Sequence, residues 1–525
     1  MKKNVLLISL ILFSAFTFSQ VSKTINVTTA GTLSMLLTDN EKNTIEILTI
    51  TGQINAYDIS ILRYNMPQLS SIDLRGVNIN SFAGIIQSSD VYSPANTLPK
   101  EAFYFKSSLK KILLPNSIYS IGERAFNNCL NLSDIYFPQS VYQINSEAFN
   151  GTAWLNNQLD GLVYAGSVLY VYKGIMPTNS NVEIKDGTLG IAAGAFSKRP
   201  ELNSIILPNS IYSIGGNAFY SCSNLISINF PNSLTEIDYD ALAGTGWLNN
   251  QSDGLVYAGN VLYKYKGEMP LDTKIELKSG TVSISYRAFA NLKGLSSIYL
   301  PNTVKYIGAL AFRGCEGLTS LIIPNSVITI SNGAFSYCTM LNSISIPNSV
   351  INIKLGAFYE CTGLSSISIQ NSVTEIESNA FYGLSRLKTV YSYLENPMYL
   401  DVKHFEKTNN AYCTLYVPKG KTTKYIQTKG WNYFLNIVEF DATLLNTPEN
   451  STIKVNYNPY NKTIVVNGVE SVCDVTIFNL DGRICSPVKS INLSEKVCVN
   501  FLNKGIYIVK AKINNEIIAQ KIHVF

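Results

Sequence analysis

Apolar residues recur along this chain on two spacings at once. Locally, Leu364-Ser365-Ser366-Ile367-Ser368-Ile369 reads LxxIxI, and the pattern returns from Leu341 to Ile346, Leu318 to Ile323, Leu295 to Leu300 and Leu202 to Leu207. The alternation at its end predicts a short strand with one face inward. A Pro-Asn pair follows at Pro115, Pro208, Pro231, Pro301, Pro324 and Pro347. Proline cannot donate to a strand ladder and asparagine accepts tight-turn dihedrals, so the chain turns a corner there. A second apolar pair, such as Val373 and Ile376, then leads to Ala-Phe.

At longer range the Ala-Phe step is 23 residues: Ala102, Ala125 and Ala148, then Ala195, Ala218 and Ala241 (followed by Leu242), then Ala288, Ala311, Ala334, Ala357 and Ala380. Two gaps of 47 residues interrupt it. Both carry one sentence, Trp154-Leu155-Asn156-Asn157 running to Asp160-Gly161-Leu162-Val163-Tyr164-Ala165-Gly166, echoed from Trp247 to Gly259, so a 93-residue unit overlies the smaller one. These inserts read as β-hairpins, with Asp-Gly as the turn signal. A fixed short period is the signature of a solenoid, in which each coil buries its apolar residues against its neighbours. The phenylalanines should form a spine along the interior, each contributing on the order of 2 kcal/mol by burial.

Composition sharpens this. The 525 residues are rich in Tyr, Asn, Ser and Ile, as strands and turns require, with 46% hydrophobic and 15% charged. The formal charge of +5 falls to +3 if Lys2 and Lys3 are removed, and no long basic run exists. Binding to nucleic acid or to a membrane surface by charge is therefore not expected. Removal is expected because Lys2 and Lys3 precede an apolar stretch from Val5 to Phe16 and the small residues of Thr17-Phe18-Ser19, a secretory signal cleaved after Ser19. The apolar run is shorter than the roughly 20 residues that span a bilayer, and no second candidate follows.

Nine cysteines are an odd number for an exported chain. Cys129, Cys222, Cys315, Cys338 and Cys361 each stand three or four residues after Ala-Phe, which makes them one repeat position, packed as small hydrophobes. Cys315, Cys338 and Cys361 fall on consecutive coils about 4.8 Å apart, so a bridge between coils is the open alternative. The only histidines are His404 and His523, so neither a metal cluster nor a Ser-His-Asp arrangement can be assembled. His404 with Cys413 is the one base and nucleophile pairing that can be drawn. No paired carboxylates, EF-hand or phosphate loop appear, and no catalytic residue, metal site or cofactor is expected.

The composite LxxIxIPNSVxxIxxxAFxxCxxL resembles the BspA-like leucine-rich repeats of bacterial surface proteins, from about Leu69 to Leu387. It departs where Thr152 and Thr245 stand at the Cys position. The chain is thus read as mostly β, a leucine-rich-repeat solenoid of about 23-residue coils followed by a small C-terminal β-sandwich. Domain limits follow: signal peptide 1–19, N-terminal cap and degenerate repeats 20–100, repeats 101–387, C-terminal cap 388–440, linker 441–452 and a last domain 453–525. That last domain carries Asn458-Pro459, Leu480-Asp481-Gly482-Arg483, Lys504-Gly505-Ile506-Tyr507 and a closing Lys521-Ile522-His523-Val524-Phe525. In that order these are similar to the C-terminal sorting domains of the type IX secretion system. The resemblance implies export to the outer surface of a gram-negative bacterium or the medium, with the secretion machinery as a partner of residues 453–525.

Function is then expected on surfaces. In LxxIxI the residue between the last two apolar positions faces outward; Tyr136, Asn229, Tyr299 and Tyr391 occupy it, with Ser345 and Ser368 between. Tyr, Ser and Asn make an adaptable hydrogen-bonding face with aromatic anchors, and these four residues are the candidate ligand-binding set. A shallow polar face along roughly 13 coils of about 4.8 Å each suits a protein ligand of a host matrix or neighbouring cell, as the resemblance implies. Capture of a glycan on exposed tyrosines is the alternative, and it requires aromatics aligned on adjacent coils.

Overall fold

The computed structural model describes residues 20–400 and 402–440 and, beyond them, Leu502 and seven strands between Lys454 and Val524. The expected signal peptide (1–19) and linker (441–452) lie outside the described residues. Two compact units divide the chain: residues up to 233 with 240–249, and 234–239 with everything from 250 onward.

In the first unit five parallel strands, Ser22–Val27, Ile47–Ile54, Ser71–Ile79, Lys111–Leu113 and Asp134–Tyr136, lie side by side in chain order. Their inward residues Leu48, Ile72 and Ile112 are fully buried, as the LxxIxI reading requires. A second parallel ladder forms from Thr97–Leu98, Ser120–Ile121 and Gln143–Ile144, so each coil contributes two short strands separated by the Pro-Asn corner. The first coils also hold two helices absent from the sequence reading, Asp39–Thr44 and Ala56–Tyr64, each opened by a capping box: Thr38 with Glu41, and Asn55 with Asp58. Asp58 is buried and accepts from the backbone N–H groups of Gly31, Leu33 and Asn55 at 2.6, 2.9 and 3.0 Å. Burial pushes its pKa up and those three donors pull it down. A hairpin, Phe82–Ile86 with Ser89–Ser93, turns through Gln87 and Ser88, both at positive φ. It too carried no sequence signal, since neither turn residue is the usual Asn or Gly.

The second unit repeats the scheme with longer ladders. Leu295–Tyr299, Ser320–Leu321, Ser343–Ser345, Ser366–Ile369 and Thr389–Ser392 pair in parallel, each with the next coil, and Thr414–Pro418 and Asn436–Phe440 continue the sheet. The second ladder runs through Ser283–Ile284, Tyr306–Ile307, Thr329–Ile330, Asn352–Ile353 and Glu375–Ile376.

The expected spine is present within each unit. From Phe289 through Phe312, Phe335, Phe358, Phe381 and Phe405 the rings stack 5.2–5.7 Å apart, and Phe103, Phe126 and Phe149 do the same at 5.5 and 5.4 Å. The backbone at Ala-Phe stacks too: the N–H of Phe312 donates to Ala334 and that of Phe335 to Ala357. Each such turn needs two left-handed residues, for instance Gly333 and Tyr337 around Ala334-Phe335.

The inserts are hairpins, Gly161–Ala165 with Val168–Lys173 and Gly254–Ala258 with Val261–Lys266. Their turns are not at Asp-Gly, however. The two-residue links are Gly166-Ser167 and Gly259-Asn260, with both glycines at positive φ, while Asp160-Gly161 and Asp253-Gly254 stand at the strand entrance. The choice follows from register: the chain must reverse where Ala165 meets Val168, and only there does φ above zero match the strand twist.

The last domain contains two antiparallel sheets among its described residues. One holds Lys454–Asn458, Thr463–Asn467 and Lys496–Cys498; the other orders Ile484–Ile491, Cys473–Asn479, Gly505–Ile513 and Glu516–Val524.

Candidate functional site

Register turns the outward residues into rows. In the second unit Lys274, Ser297, Ser320, Ser343, Ser366, Thr389, Thr414 and Asn436 are successive pairing partners. Six consecutive hydroxyl residues therefore line one row, one per coil, which the sequence reading did not single out. It is legible in LxxIxI, whose second x is Ser at Ser204, Ser297, Ser320, Ser343 and Ser366.

The second row carries the candidates. Tyr299 lies beside Glu276, and Ser345, Ser368, Tyr391 and Tyr416 are successive partners. Between Tyr299 and Ser345 stands Ile322, 40% exposed, which interrupts the polar run. Ser345 and Ser368 join their hydroxyls at 3.2 Å, and Ser368, expected to face outward, is 1% exposed and so offers no surface to a ligand. Tyr391 is not an isolated anchor: its ring stacks on Tyr416 at 4.6 Å and meets Phe440 edge-on at 6.0 Å. Tyr416 escaped the sequence reading because it belongs to the cap, whose strand prolongs the row without the LxxIxI pattern.

In the first unit Tyr136 follows Asp73 and Leu113 in register and is 43% exposed. Asn229 follows Glu183 and Ile206. Its amide is committed to the preceding coil, accepting from the N–H of Leu207 at 2.7 Å and donating to the carbonyl of Leu207 at 3.0 Å. Asn229 thus extends the ladder past the strand end, a structural task beside any contact with a ligand. Tyr136 and Asn229 fall in one unit and Tyr299 and Tyr391 in the other.

Cys129, Cys222, Cys315, Cys338, Cys361 and Cys413 form no disulfide, so no bridge joins the coils among the described residues. Each repeat thiol instead donates to the carbonyl of the Phe one coil earlier: Cys129 to Phe103, Cys222 to Phe196, Cys315 to Phe289, Cys338 to Phe312 and Cys361 to Phe335, at 2.9–3.1 Å. Where Thr replaces Cys, the contact changes. Thr152 donates to Phe149 in its own coil and accepts from the N–H of Leu155, capping a helix at Ala153–Asn156; Thr245 does the same with Leu242 and Leu248. The departure from the repeat is therefore what starts the insert.

His404 and Cys413 are both buried in the cap, and His404 Nε2 lies 3.2 Å from the carbonyl oxygen of Ile376. Burial pushes the Cys413 thiol up to about 12, the opposite of what a nucleophile needs. No group of three or more potential metal ligands exists among the described residues, and none of their helices is long and apolar enough to cross a membrane.

Coils of one strand, a corner, a second short strand and a buried Ala-Phe turn, stacked in register, define a leucine-rich-repeat β-solenoid. Six copies of the BspA type leucine-rich repeat region match residues 43–156, 176–252 and 267–411, and the chain belongs to that family. Residues 448–524 match the secretion system C-terminal sorting domain, which directs export to the cell surface or the extracellular space. Several solved structures are similar to the chain at low identity. A leucine-rich cell surface protein from Faecalibacterium prausnitzii is 22% identical over 67% of this chain and 80% of its own, with a TM-score of 0.28. The pneumococcal vaccine antigen PcpA is 17% identical over 76% and 80%, with a TM-score of 0.33. A leucine-rich repeat protein from Bacteroides ovatus is 23% identical over 61% and 86%, with a TM-score of 0.23. No curated protein matches the chain.

Proposed function

We propose that this cell-surface repeat protein is an adhesin that binds a protein ligand along the outward sheet face and performs no chemistry of its own. The observation that carries this reading is the pair of outward rows in the second unit, hydroxyl residues in register beside a row holding Tyr299 and Tyr391. A flat array of short polar groups with a few aromatic anchors suits a broad, shallow protein contact better than an enclosed small molecule. The rings of Tyr391 and Tyr416 close their faces on each other, which weighs against sugars stacking there.

On this reading the mature chain starts near Gln20, and the segment 441–452 links the solenoid to a removable tail beginning near residue 453. Mass spectrometry of both chain ends, on cells and on medium separately, tests the processing. Adhesion of beads carrying the mature chain to a panel of matrix proteins and to neighbouring bacterial cells tests the binding. The Tyr299→Ala, Tyr391→Ala double variant is expected to lose most of the adhesion while remaining folded, with about 0.5–1.5 kcal/mol lost from the Tyr391–Tyr416 stack. Unchanged adhesion would remove this face from the reading.

A further inference from the structure

Along the edge where the second unit's chain enters its strands, the residues before and after the first Leu of each coil form a border to the hydroxyl rows. Glycine precedes that Leu at Gly294, Gly317 and Gly363, and of these Gly363 alone has a long side chain on each flanking coil. Gly363 lacks a side chain because a Cβ there would collide with the carbonyl oxygen of Thr339. The gap lies between Met340 and Arg386, and it opens into a groove of 560 Å³ with Lys388, Tyr412, Asn342 and Ser365 among its walls. This volume is in the range that small ligands use.

Its chemistry is one-sided. Arg386 and Lys388 are exposed and pair with no carboxylate among the described residues, whereas along the same edge Lys293 is matched by Glu316 at 3.0 Å. No acidic residue lines the groove. Tyr412 is 80% exposed and offers its ring, and Met340 is 57% exposed opposite the cations. The remaining groups are short hydroxyls and amides.

We propose that this groove binds an acidic saccharide. A sugar carboxylate pairs with Arg386 and Lys388, the neighbouring hydroxyls and amides meet the ring hydroxyls, and Tyr412 receives an apolar ring face. An extended acidic peptide fits less well. Strands Ser343–Ser345, Ser366–Ile369 and Thr389–Ser392 are paired on both sides, so no free strand edge offers a peptide backbone a ladder. The inference does not depend on the outward tyrosines or on the protein-ligand reading.

Calorimetric titration of the full mature chain tests it, with trigalacturonate as the probe, galactotriose as its neutral counterpart and hexaglutamate as the acidic peptide. Trigalacturonate is expected to bind with a Kd of about 0.1–1 mM, at least about tenfold tighter than galactotriose because the carboxylate contacts are charge-assisted. The pair Arg386→Gln, Lys388→Gln should weaken it by about tenfold or more with the melting temperature unchanged, and Tyr412→Ala by severalfold. Raising salt from 50 to 500 mM should weaken wild-type binding in the same direction. Three results overturn the proposal: no trigalacturonate binding, trigalacturonate affinity unchanged in the double variant, or hexaglutamate bound more tightly and lost in that variant.

Discussion

The thiol of Cys361 donates a hydrogen bond to the carbonyl oxygen of Phe335, 26 residues earlier and one coil away, at 2.9 Å. The same carbonyl, buried in the turn around a stacked ring, accepts the backbone N–H of Cys338 at 3.2 Å, so the thiol fills its second lone pair, a net gain of about 0.5–1.5 kcal/mol at most. A small apolar side chain with one weak donor answers both demands of that site. The repeat cysteines should therefore resist an added thiol reagent in the folded protein and react within seconds after denaturation. Fast labelling of Cys338 in the native state, followed by mass spectrometry, would contradict this account.

Removing one ring from the spine is expected to be severe. Phe335 is fully buried and stacked on both sides, on Phe312 and on Phe358 at 5.4 Å each. Phe335→Ala should cost about 3–5 kcal/mol in urea unfolding of the mature chain. Phe335→Leu should cost clearly less, because it keeps most of the volume.

Alkaline pH should loosen the fold through the same thiols. Burial pushes Cys129, Cys315 and Cys413 up to about 12 and Cys222 up to about 11, from an ordinary 9.0. Above pH 9 the unfolded chain releases these protons while the folded chain keeps them, so the unfolded state gains and stability falls as pH rises from 9 toward 12. Below pH 9 both states are protonated and these groups add no slope. Urea midpoints measured from pH 8 to 11 in reducing buffer should fall, and less steeply in Cys129→Ala, Cys315→Ala.

The helix caps of the inserts give a sharper local test. Thr152→Val keeps the shape but loses both the donor to Phe149 and the acceptor for Leu155. A loss of about 1–2 kcal/mol is expected, the usual range for an N-cap. Amide exchange should speed up over Ala153–Asn156 before it does in the neighbouring coil.

Much of this architecture is legible in the sequence because it rests on side-chain periodicity. The spine follows from Ala-Phe every 23 residues, and the corners follow from Pro-Asn. What stays hidden depends on partners that are backbone atoms or distant coils. The cysteine position is visible, but its acceptor is a carbonyl without a sequence signature. Thr152 reads as a departure until its bond to Leu155 is known. Tyr391 reads as a lone tyrosine because its neighbour Tyr416 comes from the cap. The groove beside Arg386 is defined by the missing side chain of Gly363, and that absence matters only once Met340 and Tyr412 are brought to its sides.

Because each coil meets the next through the same bonds it receives from the one before, the number of coils is free to change. Excising residues 324–346 would remove Phe335 and Cys338 together, and Cys361 would then meet Phe312, the acceptor Cys338 now uses. Every donor would find an equivalent acceptor, and the Phe stack would close over the gap. Length is thus a quantity that recombination between repeats can adjust in single steps without redesigning a core, and a population of cells can carry reach as a heritable variable.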